Sequence, residues 1–297
     1  MTVLDEIERA ATAVTNRVGP AVVGIGRGPG RGAGVVVADG VVVTNAHNLR
    51  GEEVTVRFPG GRQDVARVTG ADLDGDLAVL SVDTSGVTPV EWSEGGVGQG
   101  AAVFAVTSST AGESRVSLGL VASVDQSFRG PRGRRITGSL EHTAPLPRGS
   151  SGGPVVDGSG RLVGINTNRL GEGFYQALRA DADLKARIDG LARGESPTRR
   201  RLGVALAPPQ AARHLRRAVG LPERDGLLVR QVQDGGPAVL AGVQPGDLLV
   251  AAAGRDLLSV DDLYEALDSV DEGASLPLRV VRGVEELDLS VGFAGAG

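Results

Sequence analysis

The sequence predicts a mostly β protein in two parts: a large all-β domain, then a smaller mixed α+β domain. Three observations predict it. Short valine-rich runs recur, each bounded by glycine or aspartate, which is the pattern of an all-β sandwich or barrel. The 46 glycines among 297 residues supply the tight turns such strands need. Near Ala180 the pattern changes to a helix and a polar, proline-containing stretch, "ESPTRRR", and helices then alternate with strands. Hydrophobic residues make up 41% and aromatics 3%, so the core must be built from Val, Leu, Ala and Ile.

The elements follow in order. Val3 to Val18 carries Leu4, Ile7, Ala11, Val14 and Val18 at helical spacing, and Gly19-Pro20 ends the helix. Strands are expected at "AVVGIG", "AGVVVAD", "GVVVTN", "EEVTVRF", "LAVLSV", "AAVFAV" and "RVSLGLVASV", with a tight "ADG" hairpin turn after Val37. Two strands surround the Asp-Gly turn of "GGPVVDGSGRLVGIN", and "GEGFYQAL" adds another. "RADADLKARIDGLARG" is a helix. We place the domains at 1–194 and 201–297, with 195–200 as linker. The second domain reads as strand "LGVAL", helix "PPQAARHLRRAVG", strand "GLLVRQV", short helix "PAVLAG" and strand "DLLVAAAG". It closes with helix "SVDDLYEALDSV", capped by Ser259 with Asp262, and strands "SLPLRVVR" and "VEELDLSV".

Composition excludes some chemistry. Without cysteine there is no disulfide framework, zinc-thiolate site or cysteine nucleophile. The net charge of −5 is interspersed and calls for neither nucleic acid nor a membrane surface. The N-terminus has no signal-type apolar core and no run is long enough to span a bilayer, so a soluble, cytoplasmic chain is expected. No cofactor and no metal site are expected. The run Asp72-Leu73-Asp74-Gly75-Asp76 hints at a calcium loop but lacks its ligand spacing and later glutamate.

The stretch Pro147 to Thr167, "PRGSSGGPVVDGSGRLVGINT", holds two serines among glycines. A serine hydroxyl needs a base, a group to orient that base, and backbone N–H groups aimed at a developing oxyanion. Three histidines are candidates for the base. His214 lies on an arginine-rich helix and His142 just before the serine turn, and both read as structural; His47 ends a valine strand. The orienting acid is Asp76, at the start of an apolar strand, with Asp72 and Asp74 as alternatives. The order His47, Asp76, Ser151 is that of chymotrypsin-type barrels. Gly149 to Gly153 also matches G-x-S-x-G, but that elbow requires a following helix, and here Pro154 and a hairpin follow.

These blocks resemble the HtrA (Deg) serine proteases, a chymotrypsin-like double six-stranded β-barrel followed by a PDZ domain. "GAGVVVADGVVVTNAHNL", "DLAVL", "PRGSSGGPVVD" and "GFYQAL" match the family's protease blocks. "RLGVAL" and "GGPAVLAGVQPGDLLVAAAG" match its PDZ blocks. The resemblance implies Ser151 as nucleophile, His47 as base, Asp76 as orienter, and an oxyanion hole from Gly149, Ser150 and Ser151. Pro145 stands six residues before Ser151, where trypsin-like enzymes carry an acid, and Leu146 would line an aliphatic first pocket. Arg201, Leu202, Gly203 and Val204 would receive a peptide carboxylate beside a helix bearing Leu263 and Leu267. The resemblance further implies unfolded or regulatory protein substrates, binding of protein C-termini, and a homotrimer. Ser150 replaces the family's asparagine and Asn48 an apolar residue. These altered flanks give a competing expectation: a catalytically silent or resting, chaperone-like peptide binder.

Overall fold

The computed structural model describes residues 2–26, 32–108, 114–171, 173–197, 199–271 and 273–293. Contacts divide the chain into two compact units, Met1–Pro197 and Thr198–Gly297. None of the described helices is long and apolar enough to cross a membrane.

The first unit opens with α1 (Val3–Val18), whose Thr2 cap and Asp5 bond each other's backbone N–H reciprocally. Only the C-terminal part of the expected stripe is buried: Val14 and Val18 join the core, while Leu4 and Ile7 remain exposed. Strands β1 (Val22–Ile25), β2 (Ala33–Ala38), β3 (Val41–Thr44), β4 (Glu53–Arg57), β5 (Gln63–Asp72) and β6 (Leu77–Ser81) form a closed barrel in the order β1-β2-β3-β6-β5-β4. Strands β7 (Ala102–Ser108), β8 (Ser114–Arg129), β9 (Arg135–His142), β10 (Pro154–Val156), β11 (Leu162–Leu170) and β12 (Phe174–Arg179) form a second, in the order β10-β11-β12-β9-β8-β7. The double six-stranded β-barrel is therefore present. Strands β5 and β9 were not among the runs picked out in the sequence. The helix α2 (Ala182–Ala192) follows, with Leu184, Ile188 and Leu191 buried.

One core runs through both barrels. Val35, Val43, Leu77 and Leu80 of the first barrel belong to the same cluster as Val106, Val156, Leu162 and Ile165 of the second. Removing such side chains from water stabilises by about 1.5–3 kcal/mol each. Branched aliphatics thus do the work that aromatics do elsewhere.

The second unit holds β13 (Val204–Ala207), α3 (Pro209–Ala218), β14 (Leu227–Val232), α4 (Pro237–Leu240), β15 (Leu248–Ala252), β16 (Arg255–Asp256), α5 (Val260–Asp268), β17 (Leu276–Arg282) and β18 (Glu285–Val291). Its sheet runs β13-β14-β15-β17-β18, with β16 paired to β15, so β13 is an edge strand. Ser259 and Asp262 form the expected reciprocal cap on α5.

Candidate active site

The site is assembled from turns at strand ends of the two barrels. His47 lies in a single 3-10 turn (Ala46–Asn48) directly after β3. Asp76 immediately precedes β6 and holds a left-handed backbone, φ 52°. Among non-glycine residues, aspartate and asparagine tolerate that region best. The Asp76 carbonyl accepts from the Asn45 side chain at 2.9 Å, which joins this turn to the His47 turn.

The Asp76 carboxylate is 1% exposed and gathers three donors. His47 Nδ1 lies 2.9 Å from both oxygens, the His47 backbone N–H donates to Oδ1 at 3.1 Å, and the Thr167 hydroxyl donates to Oδ2 at 2.5 Å. An ionised carboxylate can only accept, so the imidazole proton sits on Nδ1 and Nε2 is left as the basic nitrogen. The other aspartates of the run are engaged elsewhere. Asp72 accepts from Gly75 N–H at 2.8 Å and from Arg187 at 3.0 Å, and Asp74 pairs with Arg134 at 3.5 Å. Arginines thus compensate the carboxylates a calcium loop would need. Among the described residues, no group of three or more His, Cys, Asp or Glu could hold a metal.

The two serines have separate roles in the geometry. Ser150 is buried and its hydroxyl donates to the Pro147 carbonyl at 2.8 Å. Ser151 is half-buried, and its hydroxyl donates to the Thr167 carbonyl at 3.1 Å. Among the described residues, neither His47 Nε2 nor the backbone N–H of Gly149 or Ser151 has a hydrogen-bond partner. Thr167 thereby joins Asp76 and Ser151, its hydroxyl on one and its carbonyl on the other. No sequence motif marks Thr167. Its signal was position: it ends the quoted stretch on the strand that pairs behind the serine turn.

Two glycines make the turn possible. Gly149 has φ 85° and Gly152 φ 92°. A Cβ on Gly152 would also stand 2.1 Å from the Ala33 carbonyl oxygen. The Gly152 N–H donates to the Asn166 carbonyl at 2.7 Å, and Gly153 N–H returns to the Ser150 carbonyl at 3.0 Å.

Asn48, one of the departures, bridges the barrels. Its Nδ2 donates to the Ser151 carbonyl at 2.9 Å and to Thr44 Oγ1 at 3.0 Å. The same Ser151 carbonyl accepts Ala33 N–H at 2.8 Å, and the Thr44 hydroxyl donates to the Ala33 carbonyl at 2.7 Å. The Ser151 backbone is therefore held to the turn that carries His47. Leu146 is half-buried and Pro145 exposed on the segment entering the serine turn. His142 is fully buried, and His214 lies on α3 of the second unit.

In the second unit, Gly203 has φ 74°, and the carbonyls of Leu202 and Gly203 are taken by the N–H groups of Ala238 and Gln233. Arg201 is exposed, Leu202 buried and Val204 half-buried. Leu263 and Leu267 are only 3% and 2% exposed and belong to the hydrophobic core of this unit. They lie on the inward stripe of α5. The half-buried apolar residues of that helix are Val260 and Tyr264.

Comparison with known proteins matches residues 32–165 to the trypsin-like peptidase domain family and residues 228–282 to the PDZ domain family. The mitochondrial serine protease HTRA2 of Bos taurus is 32% identical over 275 residues, covering 86% of this chain and 58% of that protein. The putative serine protease HhoA of Synechocystis is 29% identical over 286 residues, covering 88% of this chain and 70% of that protein. The chain spans between 55% and 70% of the length of the first four such relatives. Among solved structures, the HtrA-type protease AlgW with a decapeptide superposes with TM-score 0.66 at 21% identity, covering 95% of this chain and 97% of that one. A serine endoprotease from Yersinia pestis gives 0.64 at 24% identity, covering 95% and 96%.

Proposed function

We propose, from the premise that the chain is of the HtrA type with a trypsin-like peptidase domain followed by a PDZ domain, that it is a serine endopeptidase. One observation carries the reading: His47, Asp76, Thr167 and Ser151 form a single hydrogen-bonded chain built from both barrels.

In this mechanism the Ser151 hydroxyl rotates from the Thr167 carbonyl to His47 Nε2, which takes its proton as Oγ attacks the scissile carbonyl. Asp76 keeps the Nδ1–H tautomer and stabilises the imidazolium. The Thr167 hydroxyl and the His47 backbone N–H hold the carboxylate in place. The N–H groups of Gly149 and Ser151, with Ser150, receive the oxyanion. His47 then protonates the leaving amine, and water hydrolyses the acyl-enzyme by the same steps in reverse. The substrate lies as an extended peptide, with an aliphatic side chain entering a first pocket beside Leu146.

The PDZ unit takes protein C-termini. The open edge of β13 supports strand addition, and the N–H groups of the Leu202–Val204 turn, with Arg201 nearby, suit a terminal carboxylate. The solved relative bound to a decapeptide is consistent with peptide ligands. Unfolded or regulatory proteins are the proposed substrates, and a homotrimer the proposed assembly.

Replacing Ser151 by Ala should abolish both casein cleavage and fluorophosphonate labelling with the fold intact, while Ser150→Ala stays active. Cleavage that persists in Ser151→Ala would sink the assignment.

A further inference from the structure

Behind the nucleophile turn lies a buried imidazole that the proposed mechanism does not use. His142 ends β9 and is 0% exposed. Its Nδ1 is 3.2 Å from the Ala144 backbone nitrogen, and its Nε2 is 2.8 Å from Asn166 Oδ1. A backbone N–H can only donate, so Nδ1 carries no proton and Nε2–H donates to Asn166. That orients the Asn166 amide, whose Nδ2 donates to the Gly153 carbonyl at 3.1 Å. The Asn166 backbone bonds the same segment: its N–H donates to Gly153 O at 2.9 Å and its carbonyl accepts Gly152 N–H at 2.7 Å.

We propose that His142 is a positioning residue: one neutral imidazole fixes the backbone on both sides of the nucleophile turn. It holds the entering segment through Ala144 and the departing glycines through Asn166. This rests on the protease reading of Ser151. The packing around the ring suits the role. Tyr175 of β12 stacks on it, centroids 5.7 Å apart and planes 23° apart, and the Arg169 guanidinium of β11 lies 5.6 Å from the Tyr175 ring. From β8 the cross-strand partner is Val121, and from β11 the neutral Asn166. Among the described residues no carboxylate bonds the ring, and Arg169 adds positive charge beyond Tyr175. Burial holds the imidazole below its ordinary pKa, partly offset by the Asn166 bond. Protonation at Nδ1 would set N–H against the Ala144 N–H and abolish that acceptor.

The test uses the full chain. Long-range 1H–15N spectra of its three histidines should give His142 an unprotonated Nδ1 and a protonated Nε2 near neutral pH. His142→Phe keeps a ring against Tyr175 but neither hydrogen bond. Its labelling by a fluorophosphonate, and its kcat, should fall about tenfold or more with KM little changed, because misplacing a reacting group is costly. His142→Gln, whose amide nitrogen reaches the Nε2 position, should recover part of the loss. A protonated Nδ1, or His142→Phe labelled at the wild-type rate, overturns the proposal. Should His142→Phe fail to fold, amide exchange in the wild-type chain decides. Protection of Ala144 and Gly152 must fall together as His142 titrates, and exchange indifferent to that titration also overturns it. If wild type and Ser151→Ala are equally unlabelled, the protease reading fails, while tautomer and exchange still judge His142.

Discussion

Thr167→Val isolates the hydroxyl that reaches the buried carboxylate. Valine keeps the branched shape but carries no donor. Asp76 then drops from three donors to two, both from His47. Losing one hydrogen bond to a charged, buried acceptor costs about 1.5–3 kcal/mol. For a unit the size of Met1–Pro197, about 2–4 °C is lost per kcal/mol, so melting should fall by about 3–12 °C. Activity should fall as well, because the carboxylate that orients His47 is less fixed; a decrease of about 10- to 100-fold in kcat corresponds to about 1.4–2.7 kcal/mol of lost transition-state stabilisation. Calorimetry and steady-state hydrolysis of a peptide ester measure the two effects. Thr167→Ser, which restores the hydroxyl, should return both toward wild type. A valine variant with melting and kcat indistinguishable from the parent would refute the idea that this hydroxyl holds the acid.

Further outcomes follow from the same geometry. Asn48→Val removes the donor to the Ser151 carbonyl, but also a buried Oδ1 without a partner among the described residues. Stability should therefore change by less than about 1 kcal/mol while fluorophosphonate labelling slows; a variant that unfolds instead would contradict this balance. Gly152→Ala should abolish activity and destabilise the first unit, since its Cβ would collide with the Ala33 carbonyl at positive φ; a fully active alanine variant would count against the turn. Leu80→Ala, at a fully buried position, should cost about 2–5 kcal/mol by denaturant titration. For pH, His142 is held below 6.5, so the unfolded chain binds its proton first. Stability should be unaffected above that value and decline as pH falls from 6.5 toward the native pKa. The slope from this group should vanish in His142→Phe, and an unchanged acid slope would exclude His142 as its source.

Most of the architecture was legible where the pattern was local. Valine runs marked nine of the twelve barrel strands and "GEGFYQAL" a tenth. β5 and β9 escaped because their inward residues are sparse among charges and glycine: β9 buries Ile136, Ser139, Leu140 and His142, and β5 fully buries only Ala66, Gly70 and Asp72. The helix α1 was placed at its correct bounds, yet the fate of its apolar face was not readable, because Leu4 and Ile7 find no core to join. At the candidate site, chain order and motif picked out His47, Asp76 and Ser151, which the fold links through Thr167. Thr167, Asn166 and Asn45 act through pairing between distant strands, which spacing along the chain does not reveal. Leu263 and Leu267, which the resemblance placed beside a bound peptide, are buried in the hydrophobic core of the second unit.

The shortness of β13 limits how much a bound peptide can be read. Four residues at about 3.4 Å each give a ledge of about 13 Å. Along it Val204 and Leu206 are half-buried, Ala205 is exposed and Ala207 is buried. A strand laid against that edge would present about two side chains to the protein, the others facing solvent. Under the proposed binding of protein C-termini, such a tail would be recognised as a terminus first and as a sequence second. Many unrelated chain ends would pass, and discrimination among them would come from abundance and from which ends are exposed at all.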